Sequence, residues 1–127
     1  MFEPSGTHLL ADLFGIYPEK LNDPATVEQL LRESANAAGA TILSAHFHTF
    51  GSEAGVTGVV LLAESHISIH TWPEFGFAAV DIFMCGDAQP QLALDVMHIA
   101  FEAKSSSVKS MARGVAHRIQ KKSFGGG

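Results

Sequence analysis

The sequence predicts an α+β fold, a two-layer sandwich in which a mainly antiparallel sheet carries two helices on one face. Four strand-like segments follow one another between residues 41 and 84 with only short turns between them, and strands joined in this way pair antiparallel. Segments with the apolar spacing of a helix lie before and after this block. The chain has 127 residues and no internal repeat or linker, which fits a single domain over residues 1–127.

The first two elements are a strand and a helix. Residues 6–15, GTHLLADLFG, have the composition of a strand. Asp23 followed by Pro24 begins the helix, because an N-cap carboxylate accepts from free backbone N–H groups and proline suits the first helical position. Gly39 is a natural end for this helix. The apolar residues that follow the helical period are Val27, Leu30, Leu31, Ala35 and Ala38.

The next four elements are strands at residues 41–50, 56–63, 66–71 and 77–84, with a turn at residues 51–55. In the first of them, Leu43, Ala45 and Phe47 alternate with more polar positions. The same alternation places a set of imidazole and aromatic side chains on the other sheet face, namely His46, His48, Phe50, His66 and His70. That face is too polar for an ordinary core and too apolar for a plain solvent-facing surface, so it is where the sequence predicts function.

A second helix and a last strand complete the predicted fold. The helix begins at Gln89 and Pro90, and residues 106–112, SSVKSMA, predict an edge strand. The apolar side of the helix is predicted to consist of Leu92, Val96, Ile99, Ala100 and Ala103. Two amphipathic helices are enough to cover one face of the sheet.

The charge of the chain limits the classes of partner. The formal net charge is −5, divided as −6 in residues 1–64 and +1 in residues 65–127. No basic patch is interleaved with aromatic residues, so we expect no nucleic-acid partner. The acidic balance would suit a cationic small molecule.

The sequence also indicates a compartment. Cys85 is the only cysteine, so no intrachain disulfide can form, which suits a reducing cytosol. The N-terminus lacks a basic segment followed by a long apolar one, so we expect no signal peptide. No apolar run is long enough to span a membrane. We therefore expect a cytoplasmic protein with no membrane partner.

A metal site is the first chemistry that the polar face could carry. His46 and His48 on one strand and His66 and His70 on another could share one face, and imidazole binds zinc, iron or copper. No acid lies at a clear ligand spacing beside either pair. Half-buried histidines that are hydrogen-bonded to their neighbours would produce the same pattern.

A conventional nucleophile is the second chemistry, with Ser65 or Cys85 activated by a histidine. The sequence A-E-S-H-I around Ser65 lacks the G-x-S-x-G of a nucleophile elbow. A lone cysteine is usually an inert small hydrophobic residue. Cys85 nevertheless ends a predicted strand, where a thiol could meet a ligand.

Self-cleavage between Glu64 and Ser65 is the third chemistry. A serine hydroxyl can attack the carbonyl before it where a turn strains that peptide, and elimination from the resulting ester leaves a pyruvoyl group at the start of a new chain. The step needs a base and a donor for the oxyanion. His70 lies on the same strand face as His66, five residues past the serine, and antiparallel pairing could bring the hydroxyl of Thr57 alongside the break. The three residues E-S-H also fit a serine in an ordinary hairpin turn.

Residues 55–86, GVTGVVLLAESHISIHTWPEFGFAAVDIFMCG, resemble the processing region of the small, pyruvoyl-dependent class of prokaryotic S-adenosylmethionine decarboxylases. GTHLLADLFG and ATILSAHFHTFG resemble the N-terminal half of the same family, and the resemblance extends from Gly6 to Gly114. It implies a proenzyme that cleaves itself between Glu64 and Ser65. The implied products are residues 1–64 and a chain of residues 65–127 that begins with a pyruvoyl group derived from Ser65.

The resemblance also implies roles for individual residues. His70 and, as the hydroxyl, Thr57 would act in processing, and the thiol of Cys85 would protonate the substrate carbon after CO2 leaves. The implied substrate-binding residues are Phe50 against the adenine, Glu74 on the ribose hydroxyls, and Ile67 and Trp72 as pocket lining. A carboxylate can accept from two hydroxyls, and aromatic faces suit a sulfonium cation.

A cofactor and an assembly are implied as well. The pyruvoyl carbonyl would form a Schiff base with the amine of S-adenosylmethionine, the role that pyridoxal phosphate plays elsewhere, so we expect neither a metal nor pyridoxal phosphate. The product would be decarboxylated S-adenosylmethionine, the aminopropyl donor for spermidine. The resemblance further implies a homodimer of two-chain protomers, with a site near the interface that uses both subunits.

Two alternatives remain open at this point. One is a pyruvoyl-dependent arginine or ornithine decarboxylase, and the other is a non-catalytic, histidine-rich metal-binding homologue. The presence of Phe50, Trp72 and Glu74 favours the nucleoside, because an amino acid has no adenine or ribose to hold. The presence of the whole processing set argues against the non-catalytic homologue.

Overall fold

The computed structural model describes residues 4–114 of the chain. Within these residues the elements follow in the order β1 (Gly6–Phe14), α1 (Pro24–Ala37), β2 (Ile42–Thr49), β3 (Val56–Leu62), β4 (Ser65–Trp72), β5 (Phe77–Cys85), α2 (Pro90–Ala100) and β6 (Ser105–Arg113). Single 3-10 turns lie at Pro18–Lys20 and Pro73–Phe75. Each predicted strand and helix is present, with ends that differ by a residue or two.

One six-stranded sheet contains all of the described strands, in the order β2-β3-β4-β5-β1-β6. Every pairing in it is antiparallel. Tight connections join β2 to β3, β3 to β4 and β4 to β5, whereas β1 inserts between β5 and β6. The predicted antiparallel α+β architecture is therefore confirmed.

Both helices lie on the same face of the sheet, as predicted. Helix α1 packs against β2 and β3, α2 packs against β1 and β5, and the helices contact each other. The core between the layers includes the fully buried side chains of Leu31, Val60, Ile82 and Phe101. Burying such a side chain contributes about 2 kcal/mol. Because the core lies only on the helix side, the other sheet face of the described chain remains uncovered.

Helix α1 begins and packs as the sequence predicts. The carboxylate of Asp23 accepts from the backbone N–H of Thr26, which satisfies a donor that the first helical turn leaves free. Gly39 has φ +81°, a left-handed conformation that glycine adopts without strain. The five predicted core positions are all buried: Val27, Leu30, Leu31, Ala35 and Ala38.

Helix α2 buries a different side from the predicted one. The predicted stripe included Leu92 and Ile99, but Leu92 is exposed and Ile99 is 76% exposed. Apolar residues occur on several sides of this helix, so their period does not define which side faces the core. The residues that the structure buries are Ala93, Leu94, Met97 and, just past the helix, Phe101. Neither α1 nor α2 is long and apolar enough to cross a membrane.

A β-bulge near the start of β2 changes one predicted side-chain direction. Ile42 pairs with Leu62, but Ser44 pairs with Leu61, so Leu43 is the extra residue. Leu43 is 66% exposed, so the prediction that it points the same way as Ala45 and Phe47 is wrong. Ala45 and Phe47 lie beyond the bulge, share one direction as predicted, and pack against the core.

Thr71 bridges the start of β3 and the segment before α1 inside the core. Its buried hydroxyl donates to the carbonyl of Leu21 at 2.8 Å and accepts from the N–H of Val56 at 2.8 Å. We expect Thr71→Val to lower the free energy of unfolding by about 3 kcal/mol, because it leaves a buried N–H and a buried C=O without partners. Urea unfolding in a Ser65→Ala background, at equal protein concentrations, measures the change.

Ser34→Ala is the matched control for this prediction. Ser34 is also buried, but its hydroxyl donates to the carbonyl of Leu30 in the same helix, which still accepts from the backbone after the substitution. We expect a loss of about 1 kcal/mol or less. Equal losses for the two variants would contradict the bridging role of Thr71.

Candidate functional site

The uncovered sheet face carries the imidazole and aromatic side chains that the sequence placed together. Cross-strand register puts His48, Thr57 and His70 in one row across β2, β3 and β4. A second row, nearer the β3–β4 turn, contains His66 and Phe83. The buried residues of these strands all point to the helices instead. The polar face is therefore accessible because no described element packs on it.

The hairpin between β3 and β4 is tight and strained next to Ser65. Leu62 pairs with Ser65, which leaves only Ala63 and Glu64 in the turn. Glu64 has φ +57°, a left-handed conformation that is costly for a residue with a side chain. The common two-residue hairpin turns need a positive φ at their first residue, but only the second has one in this turn. Backbone strain thus lies at Glu64, the residue directly before Ser65.

Ser65 and Cys85 lie together at this end of the sheet. The backbone N–H of Cys85 donates to the hydroxyl of Ser65 at 3.1 Å. Both side chains are half-buried. Burial, and next the negative charge of Glu64, raise the pKa of the Cys85 thiol above its ordinary value. The thiol therefore stays protonated near neutral pH. We call Glu64, Ser65 and Cys85 the serine half-site.

Thr57 and His70 are in direct contact at the other end of the same hairpin. They are register partners in β3 and β4, and Oγ1 of Thr57 lies 3.2 Å from Nδ1 of His70. A hydroxyl and an imidazole at this distance can share a proton. Neighbouring residues complete a group that we call the histidine half-site: Thr57, His70, Phe50, Trp72 and Glu74.

The histidine half-site presents exposed aromatic surface. Phe50 is 70% exposed and meets the ring of His48 edge-on, with centroids 4.8 Å apart. Trp72 lies 6.3 Å from the ring of His70 and stacks on Phe77 at 5.2 Å. Glu74 follows in the 3-10 turn, where its side chain is exposed. Beside them lies a groove of about 440 Å³, lined by His46, Phe47, His48, Thr57, Gly58, Val59, Ser68 and His70. Open aromatic faces and a nearby carboxylate could hold a nucleoside.

The two half-sites of one chain do not meet. His70 lies five residues from Ser65 along β4, which at about 3.3 Å per residue separates them by roughly 16 Å. Thr57 pairs with His70 and not with the break, so the expectation that pairing brings its hydroxyl alongside Glu64 and Ser65 is wrong. The cause is the two-residue turn, which places Leu62 opposite Ser65 and carries every earlier residue of β3 away from the turn.

Ile67 lies apart from both half-sites. Its side chain is fully buried against the helices, on the face of β4 opposite to His66 and Trp72. Only its backbone could contact a ligand on the uncovered face.

The histidines of this face are spread over the sheet. Among residues 4–114, no three His, Cys, Asp or Glu side chains come together in a way that could hold a metal ion. His46 and His48 line the groove on β2, and His66 and His70 lie four residues apart on β4. The spacing that suggested four imidazole ligands does not assemble them around one point.

Sequence reasoning missed three residues near the serine half-site. His8 on β1 is the register partner of Phe83, and Arg113 at the end of β6 reaches His8. Its guanidinium also lies 5.8 Å from the centre of the Phe83 ring. No local signal could have placed these residues together, because the insertion of β1 between β5 and β6 brings them there.

Together, the fold and the site define a class of protein: a two-layer α+β sandwich with an uncovered functional sheet face and a serine at a strained hairpin turn. The family model described as S-adenosylmethionine decarboxylase matches residues 7–114. The chain belongs to this family.

Individual relatives agree with this assignment. The S-adenosylmethionine decarboxylase proenzyme of Thermodesulfovibrio yellowstonii is 48% identical over 118 residues, which cover 91% of this chain and 87% of that protein. The corresponding proenzyme of Carboxydothermus hydrogenoformans is 47% identical and covers 87% of each chain. The crystal structure of the adenosylmethionine decarboxylase from Aquifex aeolicus matches with a TM-score of 0.83 at 36% identity, over 97% of this chain and 99% of that one.

Proposed function

We propose that this chain is the proenzyme of a decarboxylase that removes CO2 from S-adenosylmethionine and forms decarboxylated S-adenosylmethionine, an aminopropyl donor for spermidine. The similarity to S-adenosylmethionine decarboxylase proenzymes over most of the chain carries this proposal. The residues of both half-sites support it, because every side chain that the chemistry requires is present in them.

Self-cleavage at the strained turn is the first step that we propose. The Ser65 hydroxyl oxygen bonds to the carbonyl carbon of Glu64, the peptide C–N bond breaks, and the amine of Ser65 takes up a proton. A base then removes the α-proton of Ser65, and the bond from its side-chain oxygen to Cβ breaks to release the new carboxylate of Glu64. Hydrolysis of the remaining enamine releases ammonia and leaves a pyruvoyl group. The positive φ of Glu64 supports this step, since cleavage relieves that strain.

The serine half-site fits a pyruvoyl group and its proton donor. The pyruvoyl group supplies a carbonyl that condenses with the substrate amine and accepts the electron pair released with CO2. Cys85 lies beside Ser65, and its raised pKa keeps it a neutral thiol that can protonate the substrate carbon. No metal or pyridoxal phosphate is required for this chemistry.

The histidine half-site fits the nucleoside end of the substrate. We infer that Phe50 stacks on the adenine and Trp72 lines the pocket, because both present exposed rings. Glu74 accepts from the two ribose hydroxyls. Arginine or ornithine would leave these three side chains without partners, so the amino-acid decarboxylase is not favoured.

A complete site needs a second copy of the chain. His70 lies about 16 Å from Ser65 along β4, and Thr57 lies opposite His70 on β3, so both are too far to act on the turn of their own chain. A two-fold axis through the uncovered sheet face would place the histidine half-site of one protomer over the serine half-site of its partner, and symmetry would form two sites at once. We therefore propose a homodimer of two-chain protomers in which each site draws on both subunits.

The intact mass of the denatured protein tests the proposed function. We expect two species that divide between Glu64 and Ser65, with a C-terminal chain lighter than one that starts with serine. Borohydride should then trap S-adenosylmethionine on that chain, and CO2 should be released from it. Arginine and ornithine are the controls. One uncleaved mass that persists on incubation, or trapping of an amino acid in preference to the nucleoside, would overturn the proposal.

A further inference from the structure

An arginine sets the tautomer of a histidine beside the serine half-site. Nη1 of Arg113 lies 3.2 Å from Nδ1 of His8. A guanidinium can only donate, so Nδ1 of His8 must accept. A neutral His8 therefore carries its proton on Nε2. The contact therefore orients the ring: Nδ1 accepts from Arg113, and the N–H at Nε2 is available to donate to another group.

The N–H at Nε2 of His8 has no acceptor among the described residues. Nε2 is buried and has no hydrogen-bond partner among residues 4–114. The ring of Phe83 meets His8 edge-on at 5.7 Å but offers no nitrogen or oxygen acceptor. The ring of His66 lies edge-on at 6.1 Å and carries two nitrogens, one of which accepts when the ring is neutral. Pairing the two histidines needs the His66 ring to rotate and to move toward His8 by about 1 Å, which a small change of both side-chain torsions provides.

We propose that Arg113, His8 and His66 form a one-way chain of hydrogen-bond donors, and that the last N–H, on His66, positions the carboxylate of the substrate at the serine half-site. This inference rests on the proposed decarboxylation. Once His66 accepts from His8 through one ring nitrogen, its other nitrogen must carry the proton and can only donate. His66 would then be a catalytic residue that contacts substrate, and His8 and Arg113 would be positioning residues.

The location of His66 identifies the group that accepts from it. His66 follows Ser65 directly, and it is the register partner of Phe83, two residues before Cys85. The amino-acid end of the substrate must lie between Ser65 and Cys85, because its nitrogen and α-carbon react there. At that end the nitrogen donates, so the carboxylate is the acceptor that remains.

A neutral donor suits a carboxylate that must leave. An imidazolium would stabilise the negative charge of the bound substrate more than that of the transition state, where the charge leaves the carboxylate, and so would slow the reaction. Burial, and next the nearby His8, lower the pKa of His66, while Asp81 opposes this shift. The titratable or charged groups around the ring are Glu64 on its own hairpin, Asp81 and Cys85 on β5, His8 on β1 and Arg113 on β6. The neutral form persists above the lowered pKa, so we expect kcat to fall as acid protonates His66.

Two substitutions of His8 test separately its contact with Arg113 and its proposed contact with His66. In His8→Gln the amide nitrogen reaches the Nε2 position and keeps a donor toward His66, whereas in His8→Asn the amide reaches only the Nδ1 position. We expect kcat for S-adenosylmethionine to fall about threefold in His8→Gln and about thirtyfold in His8→Asn, with the acid limb of the kcat profile displaced only in the latter. Equal losses in the two variants, or an acid limb displaced in both or in neither, would overturn the positioning role.

Binding of the decarboxylated product tests the assignment to the carboxylate. The product lacks that group, so we expect His66→Ala to leave its inhibition constant within about twofold while kcat for the substrate falls about thirtyfold. Equal weakening of product binding would place His66 at another part of the ligand and overturn the inference.

Nitrogen-15 NMR of the histidine rings provides a readout without activity. In an uncleaved Ser65→Ala protein, we expect His8 as the Nε2–H tautomer, and Arg113→Met should abolish that preference. Finding His8 as the Nδ1–H tautomer in the Ser65→Ala protein would overturn the proposed chain of hydrogen-bond donors. Failure of the proposed function would be seen separately, as wild-type protein that does not cleave or release CO2 from S-adenosylmethionine.

Discussion

When a His70→Ala chain is co-expressed with a Ser65→Ala chain, we expect it to cleave between Glu64 and Ser65, although neither variant cleaves alone. A mixed dimer contains one intact combination, the Ser65 turn of the first chain with His70 of the second. The physical reason is distance, because about 16 Å of β4 separates these residues within one chain.

The measurement is the intact mass of the two chains, distinguished by a tag on one of them. Only the His70→Ala chain should cleave, and in mixed dimers nearly all of it should. Co-expression of Ser65→Ala with Ser65→Ala,His70→Ala is the control, since no chain then carries the serine. If His70→Ala cleaves as fast alone as in the mixture, His70 is not the processing residue. If both variants together remain uncleaved although mixed dimers form, the shared site is wrong.

Replacement of the thiol should separate cleavage from decarboxylation. We expect Cys85→Ala to cleave normally and to lose about 100- to 10,000-fold in kcat, the range that a positioned proton donor contributes. Cys85→Ser is the matched control. Its kcat should lie between those of wild type and Cys85→Ala, because a hydroxyl can donate a proton but is a much weaker acid than a thiol. Cleavage is followed by mass and turnover by the release of CO2. A kcat within about threefold of wild type in Cys85→Ala would show that another group donates the proton.

The pH dependence of turnover gives a second test of the thiol. Cys85 donates only while protonated, and its pKa is raised by burial and then by Glu64. We therefore expect kcat to stay constant through neutral pH and to fall only above the ordinary pKa of a thiol. The decline should be absent in Cys85→Ala, whose residual rate has no thiol to deprotonate. An alkaline decline that persists unchanged in this variant would assign it to another group.

Local signals explain what could be predicted about the fold. The cap formed by Asp23 and Pro24 involves backbone groups within one helical turn, so the start of α1 follows from neighbouring residues. Strand alternation likewise identified the polar face. Helix α2 was placed correctly but turned to the wrong side, because its apolar residues satisfy more than one helical stripe. The predicted side-chain direction of Leu43 was wrong because a bulge interrupts the strand alternation.

In the candidate site, too, local sequence accounts for some features and the tertiary structure for others. By itself, the sequence named the residues for which we propose the chemistry, since Glu64, Ser65, His70 and Cys85 lie in segments that resemble the family. Only the tertiary structure decided which of them can meet. The two-residue turn sets the register that separates Ser65 from His70, and the insertion of β1 brings His8 and Arg113 to the serine half-site. Residue type is a local property, whereas distance between side chains depends on strand pairing across the whole sheet.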